Sequence, residues 1–206
     1  MQKKLLIAGI VLLVGLLSWL LLAWQPVSEH RQIAGLTEAP QGGDFTLQGP
    51  DGDVSLADYR GQVVLLYFGY TWCPDICPTS LALFSTVMHE LTPEELSKVQ
   101  PIFVSVDPPR DTIERLQEYT EYFHEKLLGV TGSASAVATA AGRYGVAYRA
   151  VDPGPDGNYA VDHSADTYLI DPDGKLVMRL PHGTTAEMLL ARVREQLSGE
   201  SEDKSG

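Results

Sequence analysis

The chain is poor in positive charge and in cysteine. It has 15 basic and 27 acidic residues, so its net charge is −12, which argues against nucleic acid as a partner. Only two of the 206 residues are cysteines, so thiol chemistry is confined to a single place in the sequence. No internal repeat is present. The length and the 44% hydrophobic content fit one well-buried domain with an additional segment.

The additional segment is at the start of the chain and lacks charge. Residues 5–24 contain no charged side chain, and as a helix they would span roughly 30 Å, one bilayer crossing. A cleaved signal is the alternative, but it needs a shorter apolar core and a small-x-small site, and Trp24 is bulky. No cysteine follows that could carry a lipid. We therefore expect an uncleaved anchor over residues 1–24, with Lys3 and Lys4 on the cytoplasmic side and the body exported.

The rest of the chain divides into three parts. Residues 25–43 are polar with scattered small residues, and we predict a linker. Residues 44–198 carry the periodic apolar patterns of a folded domain, and residues 199–206 are expected to be a disordered tail.

Alternating strand and helix patterns in residues 44–198 indicate the α/β class, a central mixed sheet flanked by helices with an N-terminal β-hairpin. Strands are predicted at 45–48, 54–56, 63–68, 102–106, 147–151, 167–170 and 175–179. Helices are predicted after Pro78, over 112–124, over 134–144 and from Thr184 onward. Thr92 with Glu95, and Thr184 with Glu187, have the spacing of capping boxes.

The two cysteines, Cys73 and Cys77, follow the buried strand at 63–68, where α/β proteins place their sites. Their spacing permits three roles. One is a structural disulfide, although so small a loop gains little stability from it. Another is a redox dithiol, and the third is a soft-metal site selective for copper(I), which an imidazole would complete.

Five histidines are candidates for that imidazole. His30 lies in the linker, His89 and His124 lie at or near helix ends, and His182 precedes the last helix. His163 is predicted on a Gly/Pro-rich loop before the strand at 167–170, and such a loop can fold over the end of a sheet.

Three motifs in order carry a family resemblance: Gly69–Pro78 (GYTWCPDICP), Ser105–Thr112 (SVDPPRDT) and Val161–Ser164 (VDHS). Over roughly residues 43–197 the chain resembles the Sco/SenC family of copper chaperones for cytochrome c oxidase. Two residues depart from the family pattern. Trp72 stands where another aromatic residue or histidine is expected, and Ile113 stands where proline is expected.

The resemblance implies a thioredoxin-like domain, tethered by one transmembrane helix to the cytoplasmic (inner) membrane with its globular domain on the extracytoplasmic side. It implies one copper ion per chain, held by Cys73, Cys77 and His163. Asp75, Asp107 and Asp162 are candidates for tuning this site or orienting His163.

The implied partners are the copper-receiving subunit of cytochrome c oxidase, and a thiol reductant or copper donor protein. Delivery of copper to the dinuclear centre is the first hypothesis, a binding function without substrate turnover. The alternative is a membrane-anchored thiol-disulfide reductase acting on oxidase cysteines through Cys73 and Cys77. A peroxide-reducing enzyme or redox sensor on the same scaffold rests on fold analogy alone.

Overall fold

The computed structural model describes residues 13, 15–19, 40–151 and 158–199. The chain forms two compact units, residues 1–33 and 34–206. In the first unit residues 15–19 are helical, and Leu16, Leu17 and Trp19 are exposed. Within the described residues no helix has the length and apolarity to cross a bilayer. Most of the predicted anchor, linker and tail lies outside the described residues.

The second unit contains nine strands and five α-helices among its described residues. The strands are β1 (Thr46–Gly49), β2 (Gly52–Ser55), β3 (Val63–Gly69), β4 (Val99–Ser105), β5 (Leu128–Val130), β6 (Tyr148–Ala150), β7 (Val161–His163), β8 (Thr167–Ile170) and β9 (Leu176–Leu180). The helices are α1 (Ile76–Glu90), α2 (Pro93–Ser97), α3 (Ile113–Glu121), α4 (Ala134–Arg143) and α5 (Ala186–Ser198).

The central sheet has the order β5-β4-β3-β8-β9. Strands β3, β4 and β5 are parallel, whereas β8 and β9 run antiparallel to β3 and to each other, so the sheet is mixed as predicted. All seven residues of β3 are buried, because both faces of this strand are covered. Burying each large side chain here stabilises the fold by about 1.5–3 kcal/mol relative to exposure.

The predicted hairpins are confirmed. β1 pairs antiparallel with β2, and β8 pairs with β9 across the turn that Gly174 closes at φ 83°. Asp171 stabilises that turn because its Oδ1 accepts the backbone N–H of Lys175 at 2.8 Å.

Helix α1 carries its buried residues on one face, at helical spacing. They are Cys77, Ser80, Leu81, Phe84, Val87 and Met88. This helix also contacts α5, whose Leu189 and Val193 are fully buried. The first turn of α1 lies at the carboxyl end of β3, where Cys77 approaches Gly69.

Several predicted boundaries are wrong. The helix expected after Pro78 begins at Ile76, because proline is tolerated in the first turn of a helix. The last helix is capped by Thr185, whose side chain accepts the Met188 N–H, and not by a Thr184–Glu187 capping box. The Thr92–Glu95 capping box is present.

His163 was predicted on a loop but ends a strand. β7 pairs antiparallel with β6, with Tyr148 opposite His163. Residues 147–151, predicted as an edge strand, therefore contribute β6 to this separate two-stranded sheet. The strand β5 was not predicted at all.

Candidate metal centre

The structure brings Cys73, Cys77 and His163 together. One ligand atom from each lies within 4.8 Å of the other two, and Cys77 Sγ is 3.3 Å from His163 Nε2. Cys77 is fully buried and Cys73 is 9% exposed, so Cys73 is the more accessible of the two cysteines. Both cysteines are free thiols.

Cys73 takes the place of a capping residue for helix α1. The first amide groups of a helix lack partners within the helix. The side chain of Asp75, the residue before α1, makes no capping hydrogen bond. Instead, the backbone N–H of Cys77 donates to Cys73 Sγ at 3.4 Å. The start of α1 therefore supplies a hydrogen-bond donor and a positive dipole to this sulfur.

The pKa values of the two thiols are shifted in opposite directions. The pKa of Cys73 is lowered to about 4, first because the Cys77 side chain hydrogen-bonds to its sulfur. Burial opposes that shift, while the backbone N–H groups of Asp75 and Cys77 add to it. The hydrogen bond to Cys73 and burial raise the pKa of Cys77 far above its ordinary value. In the metal-free pair the negative charge thus resides on Cys73.

A carbonyl sets the tautomer of His163. Its Nδ1 lies 2.9 Å from the backbone oxygen of Ser164, and a carbonyl only accepts, so Nδ1 carries the hydrogen. The unprotonated Nε2 then presents its lone pair to the sulfurs, as metal ligation requires.

Two tyrosine rings hold the imidazole in place. The rings of Tyr67 and Tyr70 meet that of His163 edge to face, with centroids 6.2 Å and 5.8 Å away. Such perpendicular contacts fix the ring orientation as well as its position.

Gly69, the last residue of β3, makes room for the Cys77 sulfur. A Cβ at this position would lie 2.7 Å from Cys77 Sγ and 2.9 Å from a ring carbon of Phe103. Both distances are too short for nonbonded atoms. The approach of α1 to the end of β3 therefore depends on a residue without a side chain.

A buried carboxylate holds the loop that carries Cys73. Asp111 is fully buried and accepts three hydrogen bonds: from the Thr71 N–H at 3.0 Å, from Thr71 Oγ1 at 2.7 Å and from Ser105 Oγ at 2.6 Å. Asp111 thereby ties the loop after β3 to the end of β4.

A second cluster fixes the segment before β7. Arg110 pairs with Asp107 at 2.5 Å, and its guanidinium lies 3.5 Å from the centroid of the Tyr159 ring. The Tyr159 hydroxyl donates to Asp107 at 2.7 Å, and Arg110 donates to the Tyr159 carbonyl at 2.8 Å. These contacts connect the second sequence motif to the segment that leads into His163.

The aspartates considered for orienting His163 have other partners in the described structure. Asp107 binds Arg110 and Tyr159, and Asp162 pairs with Arg149 at the surface at 3.0 Å. Asp75 is exposed. The hydrogen bond that orients His163 comes from a backbone carbonyl, so the expectation of an aspartate partner is wrong for the described contacts.

The other histidines lie elsewhere or outside the described residues. His89 and His124 contact each other, with ring centroids 5.3 Å apart. His182 Nδ1 is 3.4 Å from Ser80 Oγ, and His30 lies outside the described residues. None of the three described ones belongs to the Cys73, Cys77 and His163 cluster.

Sequence reasoning missed Gly69, Asp111, Arg110 and Tyr159. Asp111 and Arg110 lie inside the second motif, so that motif was the available signal for them. Gly69 opens the first motif, which was likewise the available signal for it. Tyr159 carried none, because its role depends on Asp107 and Arg110, which are distant in sequence.

The comparisons with known proteins agree on one family. The SCO1/SenC family profile matches residues 34–198. The chain is 42% identical over 173 residues to the mitochondrial SCO2 homolog of Bos taurus, covering 82% of this chain but 65% of that protein. It therefore spans slightly less than two thirds of that relative's length.

Solved structures extend the agreement to the fold. Arabidopsis thaliana ScoI, solved with copper bound, superposes with a TM-score of 0.70 at 36% identity, over 77% of this chain and 98% of that one. BsSco, a Sco-family cytochrome c oxidase assembly protein with an identified disulfide switch, gives 0.60 at 28% identity, over 78% and 95%. The mixed sheet with its helices is thus a thioredoxin-like α/β fold. The chain belongs to the SCO1/SenC family.

Proposed function

We propose that this chain is a copper-binding metallochaperone for the dinuclear copper centre of cytochrome c oxidase. One copper ion per chain is the cargo, with Cys73, Cys77 and His163 as its ligands. The partners are the copper-receiving oxidase subunit and a protein that supplies copper or reducing equivalents.

The cluster of Cys73, Cys77 and His163 is the observation that carries this proposal. Two ligand atoms about 2.3 Å from one ion lie at most about 4.6 Å apart, so a cluster within 4.8 Å fits one ion after a small contraction. Soft thiolates select copper(I), and an imidazole nitrogen is compatible with copper in either oxidation state. Among the described residues this is the one group of three such side chains.

Three ligands suit a protein that must give up its cargo. A three-coordinate ion leaves room for an incoming ligand, so exchange proceeds without release of the ion into water. Cys73, the more exposed and already ionised sulfur, makes the first contact with an entering ion. Cys77 must then lose its proton, which links copper binding to proton release.

The membrane location is part of the same proposal. The uncharged stretch at residues 5–24 supports a single-pass anchor, and Lys3 with Lys4 supports a cytoplasmic N-terminus. The folded domain would then lie on the extracytoplasmic side of the inner membrane, where the copper-receiving partner is accessible.

The copper stoichiometry of the full-length, reduced chain tests the proposal. We expect one tightly bound copper per chain and a sulfur-to-copper(II) charge-transfer band when copper(II) is added. His163→Ala should alter or abolish that band, whereas His89→Ala, an exposed histidine remote from the cluster, should leave it unchanged. Reduced wild-type protein that takes up no stoichiometric copper would contradict copper delivery.

The thiol pair itself favours a second candidate, reduction of the oxidase's own cysteines. A free Cys73 with a lowered pKa beside a protonated Cys77 is the arrangement of an attacking thiolate and a resolving thiol. This role does not need His163. A His163→Ala variant that loses copper but still supports oxidase assembly would favour the reductase.

A further inference from the structure

Trp72 is an exposed aromatic side chain next to the first of the two cysteines. It directly precedes Cys73, and 53% of its surface is exposed. The guanidinium carbon of Arg115 lies 4.5 Å from the Trp72 ring centroid. We call these two side chains the Trp72–Arg115 platform. Tryptophan and arginine are the residue types that most often dominate the energetics of protein interfaces.

Arg115 is not neutralised by a carboxylate at the surface. None of the ion pairs in the described part of the chain includes it. Its Nε donates to Thr71 Oγ1 at 2.6 Å, and the terminal nitrogens have no hydrogen-bond partner in the described contacts. By contrast, the charge of Arg110 is paired with the buried Asp107.

The counter-charge of Arg115 lies beneath the surface. Thr71 connects Arg115 to Asp111, which is fully buried. Arg115 is half-buried whereas Asp111 is fully buried, so the guanidinium lies nearer the surface than its counter-charge. Asp75, an exposed carboxylate of the same loop, makes the surrounding surface mixed in charge. A guanidinium stacked on an indole keeps its N–H edge available for a carboxylate.

We propose that the Trp72–Arg115 platform docks an acidic segment of the copper-receiving protein, one that carries a carboxylate beside its metal-binding thiols. This inference rests on the proposed function and names the chemistry of its partner. Although the whole chain has a net charge of −12, salt screens charges farther away than about 8–10 Å. At contact distance Arg115, which has no ion pair in the described part of the chain, attracts a carboxylate, and the Trp72 ring that it stacks on directly precedes Cys73, so docking there brings the incoming thiols to that sulfur.

Ligand exchange then completes the transfer. Bonds from copper(I) to Cys73, Cys77 and His163 break as bonds to two partner thiolates form. The partner thiols release two protons, of which Cys77 takes one and the solvent takes the other. Copper remains copper(I), so the step requires no oxidant or reductant.

The test uses the full-length, copper(I)-loaded chain and two synthetic peptides, each with a Cys-x-x-x-Cys sequence. Glutamates flank the cysteines in one peptide and glutamines in the other. Electrostatic steering increases association rates about 10- to 1,000-fold, so we expect at least tenfold faster transfer to the glutamate peptide at low salt. Added salt should remove the preference.

Arg115→Gln and Trp72→Ala should each abolish most of the preference while the chain still binds one copper. Trp72 is exposed, so its removal leaves the core intact even if Arg115→Gln perturbs Thr71. Lys98→Gln is the matched control, because it removes an exposed positive charge at the opposite end of β4 and should preserve the preference.

Equal rates to both peptides in wild-type protein, or an intact preference in both variants, would overturn the docking inference and leave copper delivery standing. Failure to load copper would instead contradict the proposed function. In that case the docking inference is tested by adding the metal-free chain to dye-labelled glutamate peptide and measuring binding by fluorescence anisotropy. Binding weakened by both variants would support it, and binding unaffected by them would refute it.

Discussion

Gly69→Ala tests whether a missing side chain positions the metal centre. The added Cβ would lie 2.7 Å from Cys77 Sγ and 2.9 Å from Phe103, at the junction of β3 and α1. Overpacking of this kind costs about 1–3 kcal/mol. At about 2–4 °C per kcal/mol for a domain of this size, the melting temperature should fall by several degrees.

Copper affinity should fall as well, because the displaced sulfur must return to its place for three ligands to meet. Only the part of the strain that the metal-free chain relieves by moving Cys77 returns on binding, so 1–3 kcal/mol sets an upper limit of about 5- to 150-fold on the loss of affinity. Competition with a copper(I) chelator of known affinity measures this change, and thermal unfolding of the metal-free chain measures the strain itself.

Gly142→Ala is the matched control. Gly142 lies in α4, has no atom within 4 Å of its would-be Cβ and has no positive φ. Alanine there should stabilise the fold by about 0.5–1 kcal/mol and leave copper affinity unchanged. A Gly69→Ala protein with wild-type stability and copper affinity would refute the steric argument.

The remaining predictions concern the supports of the site and its reactivity. Asp111→Asn replaces a carboxylate that accepts hydrogen bonds from Thr71 and Ser105 with an amide, which leaves one of these donors without a charged acceptor. The free energy of unfolding, measured with urea, should fall by about 1.5–3 kcal/mol. Tyr159→Phe removes a hydrogen bond to a buried carboxylate and should cost a similar amount, with a few-fold loss of copper affinity in chelator competition. Because the pKa of Cys73 is about 4, its alkylation rate in the metal-free chain should stay nearly constant from pH 8 to 5, with Cys77 modified far more slowly.

A specific result would contradict each of these predictions. Tyr122→Phe alters a tyrosine that is 85% exposed and should change neither stability nor affinity, so an equal effect from it would discredit the Tyr159 argument. Wild-type stability of Asp111→Asn would mean that Thr71 and Ser105 find other acceptors. Peptide mapping that shows Cys73 alkylation falling tenfold per pH unit below 8 would exclude an ionised Cys73.

Much of the central sheet could be predicted from the sequence because a buried strand and a tight turn each have a local pattern of residues. The run Val63–Phe68 has no polar residue, and the turn at Asp171–Gly174 has its own chemistry, so β3 and the β8–β9 hairpin were predicted from a few residues each. β5 and β7 have three residues each, too few to show a period. They are strands because β4 and β6 supply hydrogen-bond partners.

The candidate site was only partly readable for the same reason. Spacing placed Cys73 and Cys77 on one turn, but the imidazole 86 residues beyond Cys77 required a family resemblance. The Asp111 contact with Thr71 spans 40 residues. Contacts of such length follow from the topology of the sheet, and hydrophobic periodicity contains no information about them.

The backbone N–H of Cys77, which donates to the Cys73 sulfur at the start of α1, also affects the strength of any metal–sulfur bond. A thiolate that accepts a hydrogen bond has part of its electron density drawn toward the donor, and it becomes a weaker electron donor to a metal. Hydrogen bonds of this kind to ligand sulfurs raise the reduction potential of metal sites, since they favour the state with more negative charge. In the proposed copper site, this hydrogen bond at the start of one helix would therefore favour copper(I) over copper(II).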